Sequence, residues 1–309
     1  MNRVRVIRPG MLTTVQDLGR WGSQENGVPV AGPMDEYSHR LANRLVGNAP
    51  TAAALEVTLI GPELDVAADV ICAVAGAEFA LSIGGTRVPC HEAFLLRAGQ
   101  PLKFGERRKG ARAAVAFRGG IAVEPVLGSR ATSVFSAMGG VNGRALKAGD
   151  LLPMGDDAAT SPSTARGVAL PMQSGGATLR VMAGPHEDFF ARTAYDTLFG
   201  TRFTVTPASN RMGYRLEGWP LEHAGRADIL SDATPLGSIQ VPASGQPILL
   251  MADRQTTGGY PKIATVISAD MPLAGQLSPG DWVEFRACTR QQAVEALRDR
   301  MRQIGSQLG

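Results

Sequence analysis

The chain has 309 residues, 44% of them hydrophobic and 19% charged. That composition belongs to a globular protein, with length enough for two packed domains, and excludes a disordered chain. The formal charge of +3 comes without a long basic block, so no nucleic-acid partner is expected. No apolar run approaches the roughly 18 residues that cross a bilayer. The opening MNRVRVIRPG lacks a signal-peptide core, so a cytoplasmic protein without membrane contact is expected.

Residues 4–7 (VRVI) alternate and predict a first strand. Residues 9–22 (PGMLTTVQDLGRWG) read as loop and hold Gln16, Asp17 and Arg20 close together. Asp35 predicts the N-cap of a helix over residues 36–46, with Tyr37, Leu41 and Leu45 on one face and a left-handed end at Gly47-Asn48. Residues 54–154 are strand-like throughout, with candidates at 55–60, 70–75, 79–83, 92–96, 113–117 and 151–154. Glu56 is an acid inside an apolar run. A buried carboxylate needs a partner such as Arg, so Glu56 is either a brace or a site residue.

A short repeat, L-x-x-G-[DQ]-x-[LV]-x-[FM], starts at Leu96, Leu146 and Leu277, and each copy reads as a glycine turn entering a strand. The many glycines and prolines, 37 and 20, likewise favour short strands and tight turns, a mainly β protein with a few helices. The glycines between 119 and 143 lack both GxxxxGK[ST] and a βαβ context, so they do not read as a nucleotide loop. Ser129 lacks a GxSxG frame. Residues 156–176 are rich in Ser, Thr, Gly, Ala and Pro and predict a linker between a β-rich domain over residues 1–155 and a second over 177–309.

In the second half, residues 179–182 predict a strand. Pro185 suits the first turn of a helix running to about residue 199, with Phe189, Phe190, Leu198 and Phe199 buried. HExxH fails at Phe190, so no metal site is expected. Cys72, Cys90 and Cys288 are odd in number, lack CxxC spacing and read as reduced thiols. Asn210, Arg211 and Arg215 form a polar-basic stretch; paired arginines suit carboxylate ligands, and a solvated turn is the alternative reading. A last helix is predicted over residues 290–304 with Thr289 as cap.

The densest stretch is residues 238–270. Apolar runs over 247–252 and 263–267 predict buried strands. Between them stand Asp253, Arg254, Gln255, Thr256, Thr257, Gly258, Gly259 and Tyr260, more than the two to five residues a hairpin turn needs. Two readings stay open. In one, the insert is a braced corner in which Arg254 pairs with Asp253 or Glu56. In the other, Asp253, Arg254, Gln255 and Thr256 line a pocket with Asn210, Arg211 and Gln240, and Arg254 is an exposed site charge.

Several long motifs resemble one family. They are TTVQDLGRWG from Thr13, with Gly27-Val-Pro and Asp35; ALEVTLIGP from Ala54; GSRATS from Gly128; GRALKAGD from Gly143; SNRMGYRL from Ser209; GSIQVPASGQP from Gly237; and DRQTTGGYP from Asp253. This is similar to the biotin-dependent carboxyltransferase family, also called allophanate hydrolase subunit 2. Its members include the C component of bacterial 5-oxoprolinase, a Kip-type regulator that antagonises a kinase inhibitor, and half of the carboxyltransferase domain of urea carboxylase.

The resemblance implies a β-rich fold with cyclophilin-like barrel units and pairing with subunit-B-like and subunit-A-like proteins. It also implies ATP-dependent opening of 5-oxoproline to glutamate by the whole complex. Regulation by binding and half of a urea carboxylase system are its alternatives. The chain has neither an ATP-binding motif nor a Met-Lys-Met biotinylation segment, so ATP belongs to the complex, and biotin enters only through the family. A lactam or urea-like substrate presents a carbonyl and an N–H, with a carboxylate in 5-oxoproline. Arg211, Arg215 or Arg254 suit the carboxylate, and Gln16, Gln240, Asn210 or Gln255 suit the amide. The Gly258-Gly259 backbone suits developing negative charge, with Thr257 and Tyr260 beside it. Asp253, Arg254 and Glu56 are the candidate catalytic groups, and Asp17 and Asp35 are further acids able to orient an arginine.

Overall fold

The computed structural model describes residues 2–156 and 166–306. The chain is mainly β, as expected, with half-barrel and closed-barrel sheets. It divides into two compact units. The first takes residues up to Trp21, then Ala31–Pro171, and the chain from Gln303; the second takes Gly22–Val30 and Met172–Arg302. Residues 157–165, the middle of the expected linker, lie outside the described residues.

The first unit is a nine-stranded sheet. Its two long strands, Val70–Ile83 and Leu102–Phe117, pair antiparallel with three register shifts between Gly76 and Leu81. They absorb the shorter strands predicted at 70–75, 79–83 and 113–117; the bulges bend one continuous strand where the sequence suggested a break. Besides the short Thr86–Val88, which pairs with the end of Val70–Ile83, two strands were not expected. Leu12–Gln16 pairs with Ala54–Thr58, and Glu63–Val66 pairs with Arg3–Arg8. In the first, the β-branched Thr13-Thr14-Val15 outweigh the glycines that flank them.

The helix Glu36–Leu45 forms as predicted. Asp35 accepts from Ser38 N at 2.9 Å, and Tyr37, Leu41 and Leu45 are buried. Its end is a Schellman turn, with Gly47 N on Arg44 O and Asn48 N on Asn43 O, and Gly47 at φ 80°. Gly76 lets the helix approach the long strand: at its φ of 105° a Cβ would meet Arg112 O at 2.5 Å and the Ser38 side chain at 3.1 Å.

His39 in this helix is fully buried, with Asn43 Nδ2 at 3.2 Å from its Nε2. Burial holds its pKa down at about 4, from an ordinary 6.5. The unfolded chain therefore binds that proton more tightly. The His39 contribution is complete above pH 6.5 and is lost as pH falls toward 4, about 3 kcal/mol in all. Urea unfolding from pH 7 to 4 is expected to show this loss in the wild type and a shallower loss in His39→Gln. Parallel curves would contradict it.

The second unit is a closed barrel of seven strands, in the order Gly176–Ala183, Lys262–Val266, Ser238–Gln240, Ile248–Leu250, Gly213–Glu217, Phe203–Val205 and Trp282–Ala287. The ring closes by parallel pairing of Gly176–Ala183 with Trp282–Ala287, and the other pairs are antiparallel. Leu179, Val181, Phe203, Tyr214, Leu216, Ile239, Leu249, Ile263, Val283 and Phe285 are all buried. The helix expected from Pro185 begins only at Arg192 and runs to Gly200, after a short turn at Glu187–Phe189. Phe190 is drawn out of it by tertiary pairing: it bridges to His223 and packs on that ring at 5.2 Å. Phe190 and Leu198 are buried, whereas Phe199 is exposed. The last helix, Arg290–Ser306, opens with a capping box, Thr289 N on Gln292 Oε1 and Gln292 N on Thr289 Oγ1.

The three repeat copies are the same turn. Gly99, Gly149 and Gly280 have φ of 75°, 90° and 93°. Gln100 N, Asp150 N and Asp281 N bond Arg97 O, Lys147 O and Ser278 O. A strand follows each turn. The cysteines form no disulfide. Among the described residues no helix is long and apolar enough to cross a membrane, and no group of three His, Cys, Asp or Glu is placed to hold a metal.

Candidate functional site

Four of the candidate side chains lie in the first unit and are engaged in its own architecture. Gln16 is fully buried, with Nε2 donating to Thr14 Oγ1 and Thr132 O and Oε1 accepting from Gly32 N. Asp17 accepts from Gly19 N, Ser129 Oγ and Arg130 N. Glu56 is buried and accepts from Met34 N at 2.6 Å, just before the helix, where Asp35 is the cap.

In the second unit the insert folds as a tight corner after Ile248–Leu250. Arg211 and Asp253 are both buried and form a two-point pair, Nε–Oδ2 at 3.0 Å and Nη2–Oδ1 at 2.9 Å. Asp253 N also donates to Arg211 O at 2.8 Å. The polar stretch at 210 and the corner are thus clamped together. Thr257–Gly258 then pairs with Asp232–Ala233 as a two-stranded ribbon.

Thr234 pins the corner. Its O accepts from Arg254 Nε at 2.7 Å, its N donates to Thr256 O at 3.1 Å, and its hydroxyl donates to Gln255 O. Arg254 is 9% exposed, so it is not the exposed charge that the sequence suggested. Its brace is the Thr234 carbonyl rather than Asp253 or Glu56. Burial pushes its guanidinium below the ordinary value, and neighbouring Asp253 opposes that. The Arg254 terminal nitrogens make no hydrogen bond to the described residues.

A pocket of about 200 Å³ opens here, lined by Gln24, Val30, Thr234, Arg254, Gln255 and Thr256. Behind Gln255 stands Gln240, 1% exposed, whose Oε1 is 3.4 Å from Gln255 Nε2. A wider hollow of about 450 Å³ takes in Arg215, Glu217 and Gln246, but Arg215 and Glu217 are exposed residues and no buried charge converges there. Asn210 is exposed and holds Met212 N. Thr257 and Tyr260 are exposed, and Gly259 O accepts from Ile229 N.

The largest group that sequence reading passed over is Lys262. It is 1% exposed and opposite Gln240 in the barrel register. Its Nζ donates to Asp232 Oδ2 at 2.7 Å and Ala233 O at 2.8 Å, while its backbone N donates to His186 Nδ1 at 3.2 Å. The Lys262 ammonium holds the Asp232 carboxyl below its usual range. Burial, then Lys262, lowers His186, against an opposing pull from Asp232. The one local signal was a lysine at the mouth of an apolar strand. Its partner lies 30 residues away, where no periodicity points to it.

Two buried cations, Arg254 and Lys262, and two side-chain amides, Gln240 and Gln255, thus stand around one corner of the closed barrel. The family follows from comparison: the model of the carboxyltransferase domain, subdomain A and B, matches residues 26–287, and the chain belongs to that family. It is 38% identical to the C component of 5-oxoprolinase of Escherichia coli K12 over 97% of this chain and 96% of that one. It is 36% identical to urea amidolyase of Lachancea kluyveri, over 91% of this chain but 16% of that protein. The solved urea carboxylase of Kluyveromyces lactis superposes with a TM-score of 0.92 at 32% identity, covering 98% of this chain and 29% of the larger one.

Proposed function

We propose that this chain is the C component of a 5-oxoprolinase-type complex, and that its barrel corner is the half-site holding a small lactam or urea-like substrate. The observation that carries this reading is Arg254. A buried guanidinium lines the pocket without a carboxylate of its own, because the nearest acid, Asp253, is taken by Arg211. Burying an unpaired charge is costly, and an anionic ligand removes the cost. In this reading the Arg254 terminal nitrogens hold the substrate carboxylate as a fork, and Gln255 and Gln240 meet its amide. Lys262, with Asp232 and His186, supplies the positive charge and the proton-handling groups behind the ribbon. Asp253 and Arg211 hold the corner in register. The near end-to-end match to the C component of 5-oxoprolinase supports a separate component, whereas the urea amidolyase match falls within a much longer protein.

ATP is not routed through this chain, which carries no Walker-type loop. The Gln240 and Gln255 amides suit a ureido ring as well as a lactam, so the residues present fit biotin, which would carry a carboxyl group when bound. Leu230 is 91% exposed, Tyr260 44% and Leu236 36%, and these apolar side chains flank the ribbon. Such a rim suits a covering partner, for which a subunit-B-like protein is the candidate.

The isolated chain is expected to turn over neither ATP nor 5-oxoproline, and to co-elute with a subunit-B-like protein after co-expression. Turnover of 5-oxoproline with ATP is expected only when a subunit-A-like protein is added. Robust ATP hydrolysis by the single chain, or two separate peaks at micromolar concentration, would count against the proposal. Urea-dependent rather than 5-oxoproline-dependent turnover would move the chain to the urea carboxylase reading.

A further inference from the structure

Gln240 presents a problem of hydrogen-bond accounting. Its side chain is 1% exposed, and Nε2 has no hydrogen-bond partner among the described residues. An unmade buried donor costs about 1–3 kcal/mol, and native proteins keep few of them. The Oε1 side is also weakly served, by Gln255 Nε2 at 3.4 Å. The neighbouring backbone is arranged to leave these amides space. A Cβ at Gly258 would lie 2.6 Å from Gln240 Nε2 and 3.2 Å from Gln255 Nε2. Gly258 does not have a left-handed φ, so no backbone strain calls for glycine there; a side chain at this position would crowd the two amides and Thr234 Cγ2, the latter at 3.1 Å.

Gln255 differs from Gln240 in one respect: it lines the pocket and is only partly buried. Its backbone is fixed, with its O bonded to the Thr234 hydroxyl, so its side chain can turn away without moving the corner. Gln255 therefore stands between the pocket and a buried amide whose NH2 donors are both unused among the described residues.

We propose that Gln255 is a built-in stand-in for the ligand, and that Gln240 is the amide the ligand pairs with once Gln255 swings aside. A primary side-chain amide placed this way makes one long bond. A ligand with N–H and C=O on the same edge makes two, its carbonyl accepting from Gln240 Nε2 and its N–H donating to Oε1. Lactams and cyclic ureas have that edge, whereas trans secondary amides and N-alkylated rings do not. The proposal rests on the pocket reading above and assigns the residue that reads the amide and the residue that must leave.

The test uses the full chain alone with simple cyclic amides, so it stands or falls independently of turnover by any complex. Binding of 2-pyrrolidinone, N-methyl-2-pyrrolidinone and 2-imidazolidinone is followed by NMR of the ¹⁵N-labelled glutamine side-chain amides. In the wild type, 2-pyrrolidinone is expected to shift the Gln240 and Gln255 signals, which are identified by their loss in the variants. Gln255→Ala is expected to tighten 2-pyrrolidinone by about threefold or more, because a competing amide is gone. Gln240→Met, which also relieves the orphan donor and should fold well, is expected to abolish binding. The N-methyl ring is expected to bind at least about tenfold more weakly, the equivalent of roughly 1.4 kcal/mol. Binding of 2-imidazolidinone as tight as 2-pyrrolidinone would show that the edge is read regardless of whether it comes from a lactam or a ureido ring, as expected. Weakening by Gln255→Ala, or equal binding of the N-methyl ring, would overturn the proposal.

Discussion

Replacing Asp253 with alanine is expected to lower the melting temperature by about 10 °C, the largest stability effect of any single change at the corner. Arg211 and Asp253 are 7% and 3% exposed at their side chains and share two hydrogen bonds. Removing the carboxylate takes both Asp253 hydrogen bonds and the facing negative charge from the buried Arg211 guanidinium, a loss of roughly 3–5 kcal/mol. At about 2–4 °C per kcal/mol for a chain of this size, that sets the temperature shift. The paired replacement Arg211→Met with Asp253→Leu removes both charges at similar volume. It is expected to recover most of the loss, since a buried pair exchanged for apolar packing is often close to neutral. Scanning calorimetry of both variants checks this. A drop below about 2 °C in Asp253→Ala would mean that the pair is not the clamp described.

The largest effect on activity is expected at Lys262. Lys262→Met keeps the length and apolar stem of a buried side chain but removes the ammonium that engages Asp232 and Ala233 O. Asp232 is half-exposed and can turn to water, so the folding cost is expected to be only about 1 kcal/mol. Turnover by the assembled complex is expected to fall by about 100-fold or more, because a positioned cation in a dry corner contributes roughly 3 kcal/mol to a transition state that gains negative charge. The melting curve and the turnover number together separate the two roles. A variant that melts early and keeps its rate would make Lys262 a brace.

What was legible in the sequence was local. Asp35 and Gly47 mark the two ends of the first helix because caps act through the nearest turn. The three L-x-x-G turns could be read because a left-handed glycine and the strand after it are adjacent in the chain. The strand at Leu12–Gln16 was hidden because its pairing partner, Ala54–Thr58, lies far along the chain. The helix after Pro185 started late because Phe190 pairs with His223 instead.

The site divided in the same way. The insert from Asp253 to Tyr260 stands out by its polarity between apolar runs. Which of its charges is buried, and on what, depends on contacts with Arg211, Thr234 and Gln240 that no spacing reveals. Arg254 looked like an exposed charge because arginine usually is one. Lys262 was passed over because its acid comes from the ribbon at Asp232.

The most direct test of the central claim, that the barrel corner around Arg254 is the anion-binding half-site of a 5-oxoprolinase-type complex, is the steady-state rate of 5-oxoproline opening by the complex reconstituted with Arg254→Gln. The variant keeps a donor for the Thr234 carbonyl but lacks the charge. The account predicts a complex that assembles normally and melts within a few degrees of wild type, with kcat/KM for 5-oxoproline lowered by about 30-fold or more, equivalent to roughly 2 kcal/mol of lost charged contact. A variant complex with unchanged kcat/KM would contradict it.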